Sequence, residues 1–278
     1  MGFEMSASDS TTSRQHSSSA APPEFALEMV DVTVGSLANP DGISLEAVDW
    51  KVAVGDYWVV GGLQASGKSD LLATATGAMP PLRGTLRVFG QELGAAFDHE
   101  HLPTRLRLGL VFDGGRLLNH LTVSENVALP IRYHHNLSAA AAEPSTNALL
   151  ELIGLSGSGY SMPGAMRPNM RQRVGLARAL ALKPEVLLLD NPLTGLDPRD
   201  IAWWLDLIDQ LCAGHPIVDR RPMTLVVTDD NFRPWKDRAR QFAILKNKSF
   251  VAIGGRSELT TSADSLVQEL LRAELLTA

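Results

Sequence analysis

The sequence predicts an α/β fold with a mostly parallel sheet, on three observations. Short apolar runs alternate with helical stretches along the chain. A loop of the form G-x-x-x-x-G-K-[ST], Gly62–Ser69, stands between a predicted strand and a predicted helix. A second apolar strand, Leu187-Leu-Leu-Asp190, ends in a carboxylate.

In chain order, the first 24 residues are rich in Ser, Thr, Ala and Pro, lack the apolar run of a secretory signal, and read as a disordered tail. Phe25–Val34 and Val48–Val54 read as strands, with a turn at Gly55-Asp56. Tyr57–Val60 is the short, wholly apolar run of a buried parallel strand, stopping at Gly61-Gly62. Ser69–Gly77 follows as a helix, then strands at Gly84–Phe89 and Leu108–Phe112. Leu117–Ala181 is mainly helical: Asn136–Gly154 is rich in Ala and Leu, and Ser156–Asn169 is a loop. Val186–Leu189 is a second buried strand, Asp200–Ala213 a helix and Thr224–Thr228 a third apolar strand. Phe242–Leu245 and Phe250–Ile253 form a hairpin, and an amphipathic helix over 262–276 ends the pattern.

Composition excludes more than it assigns. A net charge of −6 lacks the basic footprint expected of a nucleic-acid partner. The single cysteine, Cys212, rules out an internal disulfide framework and reads as a buried structural thiol in a reducing cytosol. With no run of 18 apolar residues, a membrane role is expected to come through a partner.

The chemistry lies in the loop Gly62, Leu63, Gln64, Ala65, Ser66, Gly67, Lys68, Ser69 and the Asp70 that follows. Its glycines let backbone N–H groups curl around phosphate oxygens, and the following helix adds its positive end. Lys68 would neutralise the outer phosphates and Ser69 would place its hydroxyl on Mg²⁺. The bland alternative is a glycine turn before a helix. The loop alone does not separate a kinase or GTPase from other users of the motif.

The second half narrows the class. Asp190 is followed by Asn191-Pro-Leu-Thr-Gly-Leu-Asp197-Pro198, and upstream lies Met170-Arg-Gln-Arg-Val-Gly-Leu-Ala-Arg-Ala-Leu180, joined to it through Lys183-Pro184-Glu185. In this order the motifs resemble the ATP-binding subunits of ABC transporters, from about Leu27 to Ile253. The resemblance implies a P-loop cassette over residues 25–278, with a RecA-like core, antiparallel N-terminal strands and a helical subdomain near 117–181. It implies ATP and Mg²⁺ as ligands, with Ser69 and Asp190 at the metal. It also implies a homo- or heterodimer, met by Arg167, Pro168, Asn169, Met170 and Asp197, on an integral membrane permease at the inner face of the cell membrane. The segment Leu121-Thr-Val-Ser-Glu-Asn-Val-Ala-Leu-Pro-Ile-Arg132 looks closest to ATPases of MCE-type lipid transport, including those that maintain outer-membrane lipid asymmetry. An active importer or lipoprotein-release ATPase, a soluble ABC-type regulator and a small-molecule kinase stay open as alternatives.

The catalytic positions depart from the family pattern. Asp113 stands for the family's Gln, Met166-Arg-Pro-Asn-Met170 for its signature, Asn191 for its catalytic Glu and Asp229 for its switch His. Gly35-Ser36 lies where an aromatic would stack on adenine. Pro168 removes a backbone donor, leaving Asn169 to cap the helix, and an Asp229 anion would repel the γ-phosphate. An amide cannot act as general base, so nucleotide binding with impaired or absent hydrolysis is expected. Asp113 or Asp230 taking over as base is the competing expectation.

Overall fold

A computed structural model describes residues 23–93 and 99–272, so almost all of the expected N-terminal tail lies outside the described residues. The α/β expectation is met. A four-stranded antiparallel sheet has the order β2(Ile43–Ala53)–β1(Phe25–Gly35)–β4(Arg83–Val88)–β5(Gln91–Glu92). A six-stranded sheet has the order β10(Ser249–Gly254)–β9(Gln241–Lys246)–β3(Tyr57–Gly61)–β8(Thr224–Asp229)–β7(Val186–Asp190)–β6(Leu108–Val111). All its neighbouring pairs are parallel except the β9–β10 hairpin at the edge.

The central strands are apolar throughout because both of their faces are buried. Tyr57, Val59, Leu187, Leu189, Leu225 and Val227 enter one core, which also takes in Val123, Val127, Leu150, Leu176 and Trp204 from the helices. Their alternates Trp58, Val60, Val186, Leu188 and Val226 enter a second core against the antiparallel sheet. There Trp50 meets Trp58 edge-on at 5.8 Å and Phe250 at 5.2 Å, an aromatic contact between the two sheets.

The helices are α1(Lys68–Ala75), α2(Leu102–Arg105), α3(Val123–His135), α4(Ala139–Leu152), α5(Pro168–Leu180), α6(Pro198–Ala213), α7(Arg256–Thr261) and α8(Ser265–Arg272). No helix among the described residues is long and apolar enough to cross a membrane.

Three element bounds are corrected. β2 starts at Ile43 rather than Val48, because register shifts and the positive φ of Ala47 break the alternation. α5 starts at Pro168, not Met170: proline is tolerated at the first helical position, where the N–H has no intrahelical partner. The helix expected from Ser262 starts at Ser265 instead, after a connection from α7, which ends at Thr261. Asp264 ends the connection by accepting the Leu266 N–H at 2.8 Å and pairing with Lys246 at 3.0 Å, so α8 begins afresh at Ser265. Residues 273–276 lie outside the described set.

Candidate functional site

The loop Gly62–Ser69 leaves the carboxyl end of β3, between β8 and β9, where open α/β sheets gather their ligands. Its tightness comes from two glycines. A Cβ on Gly62 would meet Ser66 Oγ at 2.3 Å, and Gly67 caps α1 at φ +95°, where a side chain is strained. No side chain caps α1, so its first-turn N–H groups are left to a ligand or solvent. Gly61 is crowded from behind: a Cβ there would meet Phe232 Cζ at 2.4 Å and Leu270 Cδ1 at 2.6 Å.

Lys68 is buried and folds back over the loop, Nζ donating to Gly62 O at 2.5 Å and Leu63 O at 3.2 Å. Burial lowers its pKa, while the carboxylates of Asp230, Asp229, Asp190 and Asp113 push it back up. Ser69 Oγ donates to Asp190 Oδ2 at 2.5 Å, and Thr228 Oγ1 donates to Asp190 Oδ1 at 2.8 Å. A hydroxyl and a buried carboxylate from distant parts of the sequence thus meet beside the loop. The Asp70 backbone N–H is one of the first-turn donors of α1, while its side chain turns elsewhere. Its carboxylate accepts from Leu37 N at 2.8 Å and Ser44 Oγ at 2.5 Å, so it straps the 36–44 loop to α1.

Asn191 follows Asp190 at φ +44°, a conformation asparagine tolerates better than most residues. Its backbone is held by Thr228 O and by Gln172 Nε2, but its amide Oδ1 is buried and meets no donor. Asp113 leaves β6 nearby, and partial burial and the Asp190 carboxylate lift its pKa above the usual range.

Asp229 lies elsewhere than expected. Strand alternation turns its carboxyl away from Thr228 and Asp190, into the core, where it accepts from Trp235 Nε1 at 2.7 Å and Asn231 N at 3.0 Å. Direct repulsion of a phosphate from this carboxyl therefore has no geometric basis. Burial raises its pKa to about 7 against the Trp235 hydrogen bond. The fold favours the neutral acid, so this group's contribution to stability is complete below its ordinary value of 3.8 and is lost as pH rises through about 7. Thermal melts from pH 4 to 8 should show stability falling over this interval, and the fall should flatten in Asp229→Asn; an unchanged slope would remove Asp229 as its source.

The segment Met166–Met170 docks on α6. Arg167, not Asn169, occupies the N-cap of α5 and makes no side-chain cap, which corrects the capping role expected of Asn169. Asn169 instead accepts from Met170 N at 2.8 Å and donates to Asp200 Oδ2 at 2.6 Å. Arg173 reaches Asp200 Oδ1 at 2.5 Å and stacks over Trp203 at 3.8 Å. Asp197 caps α6 by accepting from Arg199 N and Asp200 N, and is exposed.

Sequence reasoning missed four residues: Thr228, Asp200, Trp235 and Asn126. The lone hydroxyl at the end of an apolar strand was the available signal for Thr228. Asn126, fully buried, donates to the carbonyls of Leu118, Leu121 and Thr122 and accepts from Leu118 N, knotting the loop that carries Asp113 onto α3. Cys212 is half-buried, its thiol pushed up to about 12 by burial.

A family model described as ABC transporter matches residues 45–194. The methionine import ATP-binding protein MetN 2 of Paraburkholderia xenovorans is 32% identical over 78% of this chain and 55% of its own length. The probable ribonucleotide transport ATP-binding protein mkl of Mycobacterium tuberculosis is 29% identical over 87% of this chain and 66% of its own. The chain thus spans between about half and two thirds of these two relatives. The intermembrane phospholipid transport system ATP-binding protein MlaF of Haemophilus influenzae is 27% identical over 88% of this chain and 91% of its own length. Among solved structures, the ATP-binding cassette MJ0796, a dimer bound to ADP and Pi, superposes with a TM-score of 0.69 at 23% identity, covering 80% of this chain and 95% of its own. The cbiO1 protein of Clostridium perfringens gives 0.68 at 16%, covering 89% and 93%. These two likenesses bear on the fold alone. With the family model spanning more than half of the chain, and the loop Gly62–Ser69 and the Asp190 strand brought together by the fold, the chain belongs to the ABC transporter family as an ATP-binding domain.

Proposed function

We propose that the chain is the nucleotide-binding subunit of an MCE-type lipid transporter, holding Mg-ATP with Lys68, Ser69 and Asp190 and hydrolysing it slowly or not at all. The carrying observation is the end of β7. The group beside Asp190 is the Asn191 amide, whose unpartnered oxygen can accept a hydrogen bond from a water but cannot take its proton.

The residues fit a magnesium triphosphate. Gly62 and Gly67 leave room for close backbone approach, the buried Ser66 hydroxyl has no partner, and Ser69 and Asp190 offer two hard oxygen donors. Mg²⁺, when bound, supplies charge neutralisation for the phosphate oxygens. Asp229 is withdrawn toward Trp235 and supplies nothing to the phosphates. Bound nucleotide then acts chiefly to hold a homo- or heterodimer closed, with Arg167, Pro168, Asn169, Met170 and Asp197 facing the second subunit. That dimer sits on a membrane permease at the cytoplasmic face. Lipid as cargo draws support from the Leu121–Arg132 segment and from the nearly full-length match to MlaF.

One observation favours a second reading, in which Asp113 is the base: partial burial and the Asp190 charge raise its pKa above the ordinary carboxylate value. Phosphate release by the purified chain decides between them. A rate far below one per second, unaffected by Asp113→Asn, is expected. A robust rate that either Lys68→Ala or Asp113→Asn abolishes would refute the impaired-hydrolysis reading. Copurification with a permease and an MCE-type protein tests the transport assignment.

A further inference from the structure

The loop that carries Asp113 lies on α5 with no side chain between them at its closest point. A Cβ on Gly175 would meet Gly115 Cα at 2.8 Å, and a Cβ on Gly115 would strike the Arg171 carbonyl. Gly115 also stands at φ +76°, where any side chain is strained. The obstacles on both sides are backbone atoms, which cannot swing aside as a flexible side chain would. Arg178, one turn after Gly175, donates from Nη2 to Gly115 O at 2.9 Å and to Arg116 O at 3.0 Å. Gln172, one turn before Gly175, is buried and donates to Asn191 O at 3.2 Å. Spaced one turn apart, these residues share one face of α5, which thus holds both the 113–116 loop and the residue after Asp190.

We infer that Gly175 and Arg178 are positioning residues for Asp113: together they clamp residues 113–116 to α5, so the Asp113 carboxyl keeps its place only while the helix keeps its own. The inference rests on the nucleotide-binding reading above. Asp113 acts electrostatically on Lys68 and on Asp190, the two charged groups of the proposed Mg-ATP site. A carboxylate so placed opposes a bare triphosphate more than one whose charge Mg²⁺ partly neutralises. It therefore raises the affinity for Mg-ATP relative to that for metal-free ATP, and α5 sets how strongly it does so.

Calorimetric titration of the full chain with Mg-ATP, and with ATP in EDTA, reads this affinity ratio. Asp113→Asn should lower it by about threefold. Gly175→Ala adds one methyl, removes no hydrogen bond, and should lower the ratio by a similar factor. Arg178→Gln should do the same, and Arg178→Lys, which keeps the charge and a donor, should fall between it and the parent. In the Asp113→Asn chain, none of these substitutions should lower the ratio further. An unchanged ratio in Asp113→Asn, or in the folded α5 variants, overturns the inference. A fall of equal size with and without Asp113 also overturns it, since α5 would then act on the site by another route. Should Gly175→Ala not fold, the Arg178→Lys chain decides on the same readings. Absence of Mg-ATP binding by the parent, or binding that Lys68→Ala leaves intact, would instead sink the phosphate-loop reading on which the inference stands.

Discussion

The Lys68→Ala chain is expected to bind Mg-ATP about 100-fold more weakly than the parent, as charge-assisted hydrogen bonds worth about 2–3 kcal/mol are removed. The direction follows from the electrostatics of the site. Lys68 is the cation set against Asp230, Asp190 and Asp113, so its loss leaves a cluster of carboxylates beside an anionic ligand. Stability should change little, because the ammonium's own partners are two loop carbonyls. Calorimetry on both chains, with a thermal melt as control for folding, checks the result. Equal affinities would show that the ligand is held elsewhere.

Turnover should rise by about 10²–10⁴-fold in the Asn191→Glu, Asp229→His double variant, the range that a positioned general base contributes. Most of that gain should already be present in Asn191→Glu. Position 191 adjoins Asp190 at the loop, whereas a histidine at 229 must abandon the Trp235 direction that the native carboxyl follows. The glutamate enters at φ +44°, so a loss of about 1–2 kcal/mol in stability accompanies it. Phosphate release under saturating Mg-ATP reads the gain. A folded, nucleotide-binding double variant with no gain would mean that the geometry around Asp190, and not only the base, has been lost.

What was legible in the sequence was what chain-local physics demands. Gly62 and Gly67 are glycine because a Cβ would strike Ser66 or sit at φ +95°, and an unbroken apolar run ending in Asp190 follows from a strand buried on both faces. The illegible parts depend on which way a side chain leaves the backbone. Asp229 aligns with a phosphate-facing position, yet strand alternation and the indole of Trp235 send its carboxyl inward. Asp70 adjoins the loop in sequence but bonds across to Leu37 and Ser44. Asn169 was expected to cap α5, but proline fits the first helical turn, so the N-cap position falls to Arg167, whose side chain makes no cap. Bulges hid the start of β2, and one carboxylate, Asp264, sets the start of α8 three residues after periodicity put it.

The crowding of Gly61 gives the far end of the chain a mechanical tie to the nucleotide loop. Phe232 N–H donates to Leu270 O at 2.9 Å, and both side chains press on the backbone of the strand that launches Gly62–Ser69. α8 therefore shares its seat with the strand that launches the loop, and position 61 has no room for a side chain between them. A bulky tag or fluorophore fixed to the inner face of α8 would then be no neutral label.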